Sequence, residues 1–259
     1  MAQEIPMIEE NNRIFEQVKA PVLRPIHPRG VLWVGIAALL TAISILAGWD
    51  TTGLWLLITA GLYICFRDPV RVMPIANSIA AAPADGILTR VARAAWPAET
   101  EMDGEATCLT INPRFYDVHV LRAPATAALT HAQHVMGQWG SNVFDKNSPG
   151  NERAVFLFKL DDGRMIAMEV IAGGMAERMR ATARSGDRLS LGQAMGYSAF
   201  GGEVRLYLPS GIEVIAQPGQ RMIAGETAIA ALDAESYGHG EVSNDVNLGV
   251  LPNSAGYSF

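Results

Sequence analysis

Two long apolar segments, separated by one charged residue, constrain the amino-terminal quarter of this chain. Residues 31–49 carry no charged side chain and neither do residues 51–66, so Asp50 alone divides them. At about 1.5 Å per helical residue, the first segment matches the ~30 Å hydrocarbon core of a bilayer and the second falls slightly short. The pattern predicts a helical hairpin over residues 31–66 that enters a membrane. A pair of helices buried in a soluble core is the alternative.

Basic residues lie on both outer flanks of the hairpin, and none lies in its connection, residues 48–53. The flanking basic residues are Arg13, Lys19, Arg24, Arg29, Arg67 and Arg71. Positive charge favours the cytoplasmic side of a membrane. We therefore expect the rest of the chain to lie at the cell membrane, on its cytoplasmic face.

The sequence divides into four segments. Residues 1–30 are mostly polar and predict a cytoplasmic leader that precedes the hairpin at residues 31–66. Residues 67–233 contain short apolar runs separated by turns rich in Gly, Asp and Pro, which is typical of strands. Residues 234–259 are rich in Gly, Ser and Asn and predict a flexible tail.

A short internal repeat gives more detail about the β domain. Residues 185–194 and 218–227 share the pattern G-[DQ]-R-[LM]-x-x-G, with an offset of 33 residues. Such duplicated units resemble the two halves of the barrel-sandwich fold of biotinyl and lipoyl carrier domains. We therefore expect a mainly β fold, a barrel-sandwich-like domain with an N-terminal membrane helical hairpin. A carrier function is excluded, because the three lysines, at positions 19, 146 and 159, all precede both units.

The overall charge argues against one class of partner. The chain carries 20 basic and 26 acidic residues, a formal net charge of −6. Nucleic-acid-binding domains need a basic patch or stripe, so we expect no nucleic acid partner. His131 and His134 have the spacing of metal ligands on a helix, but no further ligand cluster follows. A polar surface pair is the preferred interpretation, and no metal is expected.

Two short polar motifs are candidates for chemistry. The first, Pro83-Ala-Asp-Gly86, is typical of a turn between strands, since Asp caps the backbone and Gly adopts a positive φ. The second, Asp117-Val-His119, has the two-residue spacing that puts both side chains on one face of a strand. An Asp beside a His fixes the imidazole tautomer and lets it act as a base. A purely structural role is the alternative for both motifs.

A series of motifs links the chain to one enzyme family. Residues 192–209, GQAMGYSAFGGEVRLYLP, are similar to the self-cleavage segment of the short bacterial phosphatidylserine decarboxylases. Other blocks that resemble this family occur in its order and close to its spacing: Phe66-Arg-Asp-Pro69, Pro83-Ala-Asp-Gly86, Phe115 to Pro124, Asp145-Lys146, Asn151-Glu-Arg153 and residues 172–178. The resemblance covers roughly residues 66–209, and the apolar hairpin also fits it.

This resemblance implies a carboxy-lyase that converts phosphatidylserine to phosphatidylethanolamine and CO2. The expected cofactor is a pyruvoyl group, which the family makes from its own serine. By resemblance, Asp85 and His119 match the positions that assist that serine. Arg122 and Arg178 are candidates for binding the phosphate or carboxylate of the substrate, with surface ion pairing as the alternative. The expected partners are a phospholipid membrane and phosphatidylserine, and association of identical chains stays open.

The cleavage segment departs from the family at its central position. The family has Gly-Ser-Arg where this chain has Gly201-Gly202-Glu203, so cleavage would fall between Gly201 and Gly202. Glycine has no hydroxyl, so Gly202 cannot form the ester that leads to the pyruvoyl group. Ser198, four residues upstream, is a weak substitute. Two hypotheses stay open: a decarboxylase whose cofactor arises in another way, or an uncleaved, catalytically silent relative that binds phospholipid or regulates an active decarboxylase.

Overall fold

A computed structural model describes residues 25–74, 78–137, 150–172, 180–198 and 202–233. The predictions of a leader before residue 25 and of a tail at residues 234–259 concern parts of the chain outside these ranges. Within them, the chain forms a pair of α-helices followed by β-strands.

The two apolar segments form two packed helices. Helix α1 is Pro28–Leu46 and helix α2 is Thr52–Phe66. The helices approach closely at their base, where a Cβ on Gly30 would lie 2.2 Å from Cβ of Phe66. Many of their large apolar side chains are exposed, among them Leu32, Trp33, Leu39, Leu46, Leu54 and Leu57. In the part of the chain that the structure describes, no helix combines the length and the apolar character needed to cross a membrane.

The remainder is built from antiparallel strands, which confirms the mainly β prediction. The strands are β1 Ile79–Ala81, β2 Gly86–Ala95, β3 Glu105–Asn112, β4 Val120–Arg122, β5 Ala127–Val135, β6 Arg153–Lys159, β7 Met165–Ala172, β8 Arg180–Ala181, β9 Arg188–Leu189, β10 Ala194–Tyr197, β11 Gly202–Pro209, β12 Glu213–Val214, β13 Arg221–Met222 and β14 Ala228–Ala231. The largest sheet has the order β13-β2-β3-β11-β7-β6-β5-β9, and two three-stranded sheets have the orders β1-β14-β12 and β4-β10-β8.

Strand β11 shows how the large sheet separates its two faces. Alternate residues from Val204 to Leu208 belong to the main apolar core. The intervening side chains of Glu203, Arg205 and Tyr207 lie on the other face, because successive side chains of a strand point to opposite sides. Apolar burial on one face fixes the register of this strand, since a one-residue slip would exchange the two faces.

The two repeat units make equivalent contacts with two long strands. In the first unit, the Asp187 carbonyl accepts a hydrogen bond from the Leu129 N–H at 2.8 Å. In the second, the Gln220 carbonyl accepts one from the Leu88 N–H at 3.0 Å. Each unit adds a two-residue strand, β9 or β13, to an opposite edge of the large sheet.

The structure also reveals a second duplication, which the sequence analysis missed. Residues 82–89, APADGILT, and residues 123–130, APATAALT, are identical at five of eight positions. Each segment accepts a backbone hydrogen bond from one repeat unit, from Gly225 N–H at 2.8 Å and from Gly192 N–H at 2.9 Å. The β domain thus contains two similar pairs of segments: residues 82–89 with residues 218–227, and residues 123–130 with residues 185–194.

The base of the hairpin packs on the β domain. Phe66 at the end of α2 stacks on Tyr197 of β10, with ring centroids 6.1 Å apart. Val118 and Val120 belong to the same buried apolar cluster. This contact holds the hairpin next to the residues that precede β4, where His119 lies.

Candidate functional site

Asp85 lies in the predicted turn between β1 and β2 and is buried. Its Oδ1 accepts a hydrogen bond from the Ala224 N–H at 2.8 Å. Its two oxygens also accept hydrogen bonds from Nη2 of Arg71, at 2.9 and 2.7 Å. The side chains of this ion pair are only 7% and 8% exposed, for Arg71 and Asp85 respectively. The next residue must be glycine, because a Cβ on Gly86 would lie 2.6 Å from the Asn112 carbonyl oxygen.

The duplicated half of the domain shows that the fold itself does not require a carboxylate at this turn. Thr126 occupies the position equivalent to Asp85, and its Oγ1 accepts a hydrogen bond from the Leu191 N–H at 3.1 Å. A hydroxyl therefore caps the second turn as a carboxylate caps the first. The negative charge of Asp85 has a separate partner, Arg71. This comparison favours a role for Asp85 beyond the formation of a turn.

His119 is also buried, immediately before β4. Its Nε2–H donates a hydrogen bond to the Phe115 carbonyl at 3.2 Å, and its ring meets Tyr197 edge-on at 6.2 Å between centroids. Burial lowers the pKa of His119 below its ordinary value, and the bond to Phe115 and the negative charges of Asp117 and Asp85 only partly oppose this effect. A neutral imidazole is the form that can accept a proton.

Asp117 does not lie with His119 on a regular strand, so that part of the prediction is wrong. Asp117 lies in the turn that precedes β4, and its Oδ2 accepts hydrogen bonds from the Arg114 N–H at 2.9 Å and from Nε of Arg114 at 3.1 Å. The carboxylate is 1% exposed. Its hydrogen bonds to Arg114 close the turn, and its influence on His119 is electrostatic.

Gly202 begins β11 and faces the same small pocket as His119. It pairs with Ala172 of β7. Its φ is +150°, a value that residues with a side chain rarely adopt. Ser198 also borders this pocket, and its N–H donates to the His119 carbonyl at 3.0 Å. The structure therefore brings residues 119, 198 and 202 together, while Gly201 lies outside the described residues.

Glu203, at the position of the family's arginine, is already paired. Its Oε1 accepts a hydrogen bond from Nε of Arg205 on the outer face of the sheet. Arg205 also lies 3.5 Å from Glu169, which accepts a hydrogen bond from the Tyr207 hydroxyl at 2.9 Å. The negative charge of Glu203 is therefore compensated within β11.

Of the two arginines predicted to bind the substrate, the structure describes only Arg122. Arg122 is buried, and its guanidinium donates to the Gly192 carbonyl at 3.0 Å and to Oδ1 of Asp68 at 2.8 Å. These bonds tie β4 to a repeat unit and to the segment after α2, and the prediction that Arg122 binds the substrate stays a prediction. Arg178 lies outside the described residues.

The residues at positions 131 and 134 lie on strand β5 and not on a helix. Nε2 of His131 lies 3.2 Å from the side-chain oxygen of Gln133, and Nε2 of His134 lies 2.7 Å from Oε1 of Glu152. Among the described residues, no group of three or more His, Cys, Asp or Glu side chains could hold a metal ion.

Three arginines that were not predicted as site residues share a cavity with Asp85. Arg67, Arg71 and Arg221 border one cavity of about 340 Å³ together with Asp85 and Val118. The segment after α2, Arg-Asp-Pro-Val-Arg, carried a usable signal, because two arginines there flank an acidic residue and a helix-breaking proline. His119 borders a second, smaller pocket that shares Val118 with this cavity, so a buried carboxylate, a buried imidazole and several arginines lie in one region of the domain. Such groups are common at ligand sites.

Comparisons with known proteins give the family of the chain. The sequence profile described as Phosphatidylserine decarboxylase matches residues 59–230. A phosphatidylserine decarboxylase proenzyme of Ruegeria pomeroyi is 37% identical over 215 residues, which cover 81% of this chain and 96% of the relative. Those of Cereibacter sphaeroides and Saccharopolyspora erythraea are 36% and 37% identical, and the matches cover 91% and 89% of their lengths and 81% and 80% of this chain. None of the solved structures gives a significant match.

This chain therefore belongs to the phosphatidylserine decarboxylase family. The matched region includes the end of α2, the turn at Asp85, His119 and strand β11.

Proposed function

We propose that this protein acts on phosphatidylserine and that its reaction is removal of the headgroup carboxylate as CO2, which leaves phosphatidylethanolamine. One observation carries the proposal: the family match covers Asp85, His119 and Arg71, residues widely separated in sequence that border two adjacent pockets. The names of the relatives supply the substrate and the reaction.

The pyruvoyl group of the family does not fit residue 202 of this chain. Loss of a carboxylate next to an amine requires an electron acceptor, which the family obtains from a serine. Gly202 has no hydroxyl, and its φ of +150° suits glycine. We therefore assign no step to Gly202. Ser198 carries the one aliphatic hydroxyl among the described residues that border the pocket with His119.

The described residues of the site have three roles in this proposal. His119 is buried with a lowered pKa, so its neutral imidazole can take up a proton from solvent and deliver it to the substrate carbon from which CO2 leaves. Asp85 holds Arg71 in the wall of the larger cavity. The segment directly after α2 borders this cavity, so a hairpin inserted in a membrane would hold the cavity at the membrane surface, where the substrate is found.

The test is a decarboxylation assay with phosphatidylserine labelled in its carboxyl carbon, in mixed micelles with the full-length protein. We expect release of labelled CO2 and a loss of about 10²-fold or more in rate for His119→Ala, the usual effect of removing a general acid–base group. His131→Ala is the matched control, because His131 lies on β5 away from the pocket. Equal rates for both variants would contradict the role of His119.

One observation favours a second candidate function, an uncleaved relative that binds phospholipid or regulates an active decarboxylase. That observation is the absence of a hydroxyl at residue 202. The comparisons support the first candidate and give no separate support to the second. Binding of phosphatidylserine without any release of CO2 would favour the second candidate.

A further inference from the structure

The cavity beside Asp85 has the charges of a site for one kind of lipid headgroup. It has a volume of about 340 Å³, within the range of small-molecule pockets. Its wall includes the guanidinium groups of Arg67, Arg71 and Arg221 and the carboxylates of Asp85 and Glu226. Three cations and two anions around one space suit a ligand that itself carries both signs of charge.

The three arginines of the cavity differ in the hydrogen bonds and ion pairs that they form with the rest of the protein. Arg71 is paired with both oxygens of Asp85. Arg67 donates from Nη2 to a neutral acceptor, the Tyr116 carbonyl at 3.0 Å, and its buried Nε makes no hydrogen bond with the described residues. Arg221 is 60% exposed, and its Nη2 lies 3.8 Å from the nearest oxygen of Asp117, beyond hydrogen-bond distance. Arg67 and Arg221 therefore have donors available for a ligand.

The duplicated repeat provides an internal comparison for Arg221. Arg188 occupies the equivalent position in the first unit and pairs with both oxygens of Asp161 at 2.8 Å on the protein surface. Both arginines begin two-residue strands at opposite edges of the large sheet. The fold thus accommodates an arginine at either position, but only Arg221 faces the cavity next to Asp85.

The surroundings of the cavity suit the rest of a lipid molecule. Val70, which borders the cavity, is 65% exposed, and Val72 nearby is 74% exposed. Phe115 and Tyr116, next to the Arg67 contact, are also exposed. A lipid with its headgroup in the cavity would have apolar side chains beside its acyl chains.

We propose that this cavity binds the headgroup of an anionic aminophospholipid, with Arg67 and Arg221 binding its phosphate and carboxylate. Guanidinium groups bind such anions through paired hydrogen bonds. Glu226, whose Oε1 also accepts a hydrogen bond from the Val72 N–H at 3.1 Å, supplies the carboxylate for the ammonium group, because both oxygens of Asp85 are bound to Arg71. The inference rests on the proposed function for its choice of phosphatidylserine, but it concerns binding and not the chemical step.

The test measures binding of a soluble headgroup, so that the hairpin and the acyl chains do not contribute. Glycerophosphoserine is titrated by calorimetry into the full-length protein in a neutral detergent, with glycerophosphocholine as the comparison. We expect binding of the first in preference to the second. Arg221→Gln should weaken it by about 10-fold or more, the usual effect of losing a hydrogen bond to a charged group. Arg188→Gln should bind as the unmodified protein does.

Several results would overturn the inference. These are no binding of glycerophosphoserine at millimolar concentration, equal affinities for the two headgroups, or equal effects of Arg221→Gln and Arg188→Gln. Arg67→Gln is the second variant, and unchanged melting temperatures of all variants show that they are folded.

Measurements of headgroup binding and of CO2 release distinguish this inference from the proposed decarboxylase function. Binding that depends on Arg221 without release of CO2 supports the inference while the decarboxylase function fails. Release of CO2 with a KM that Arg221→Gln leaves unchanged overturns the inference while the function stands.

Discussion

The buried ion pair between Arg71 and Asp85 allows a quantitative prediction. The perturbation is Asp85→Thr, which copies the residue at the equivalent position, Thr126. The new hydroxyl can still accept the Ala224 N–H, as Thr126 accepts the equivalent N–H in the other half. The change therefore removes the partner of Arg71 and leaves the turn capped.

The expected loss of stability follows from the burial of the ion pair. Both side chains of the pair are less than a tenth exposed. Removal of one partner from such a pair leaves an uncompensated buried charge and costs about 3–5 kcal/mol. For a chain of this size, each kcal/mol lowers the melting temperature by about 2–4 °C, so we expect a decrease of about 6–20 °C.

The assay is thermal unfolding followed by circular dichroism, in neutral detergent at pH 7. The double variant Asp85→Thr with Arg71→Met removes the unpaired charge and should regain most of the lost stability. Thr126→Ser is the control, since it keeps the hydroxyl of the second turn. The reasoning would be refuted if Asp85→Thr changed the melting temperature no more than the control, or if the double variant were no more stable than Asp85→Thr.

Three further predictions concern the cleavage position, the buried histidine and the hairpin. Gly202→Ser should restore partial self-cleavage, seen as two bands on a denaturing gel, and His119→Ala in the same protein should abolish the cleavage again. The serine should cost about 1–3 kcal/mol of backbone strain, because residue 202 has a φ of +150°. A folded Gly202→Ser variant that stays whole would contradict this prediction. Because burial lowers the pKa of His119, the unfolded state binds more protons below about pH 6.5. The contribution of the neutral imidazole to the free energy of unfolding is thus fully present above that pH and is lost as the pH falls below it. His119→Gln should flatten the decrease of melting temperature between pH 7 and pH 5, and equal slopes would be the contrary result. The protein should stay bound to membranes in high salt. The double variant Leu39→Asp with Leu57→Asp should be released, because each aspartate within the apolar layer of the membrane costs about 3 kcal/mol. Release of the unmodified protein by salt alone would refute membrane insertion.

Local sequence patterns predicted much of this fold. The apolar segments became α1 and α2, and short apolar runs between turns became β6, β7 and β11. The shared glycines of the repeat correctly indicated two equivalent units, because each unit needs the same tight turns. These features depend on residues close together in the chain, where periodicity and turn chemistry are informative.

The pairing of distant charges could not be predicted in the same way. Arg71 pairs with Asp85, which lies 14 residues later in the chain, and Arg221, much later still, borders the same cavity. Arg122, for which substrate binding and surface ion pairing were both open, forms an ion pair with Asp68 in which its own side chain is buried. A sequence shows which residues carry charge, but only the packing of the two halves decides which charges meet.

The spacing of His131 and His134 shows a different limit. An interval of three residues fits one face of a helix, but the alternation of the surrounding residues also fits a strand. Pairing with β6 decides in favour of the strand, where His134 contacts Glu152 at the start of the neighbouring segment. Long-range strand pairing therefore overrides a short local pattern.

We infer that residue 202 of this family member takes no covalent part in the chemistry of the site, because glycine has no hydroxyl. An intact-mass spectrum of the purified protein under denaturing conditions tests the claim most directly. We predict that no polypeptide begins at residue 202. A pyruvoyl chain that begins at residue 198 would support the decarboxylase with an unusual cofactor, and an unbroken chain of 27.8 kDa would support the uncleaved relative. A chain that begins at residue 202 with a pyruvoyl amino terminus would contradict the account.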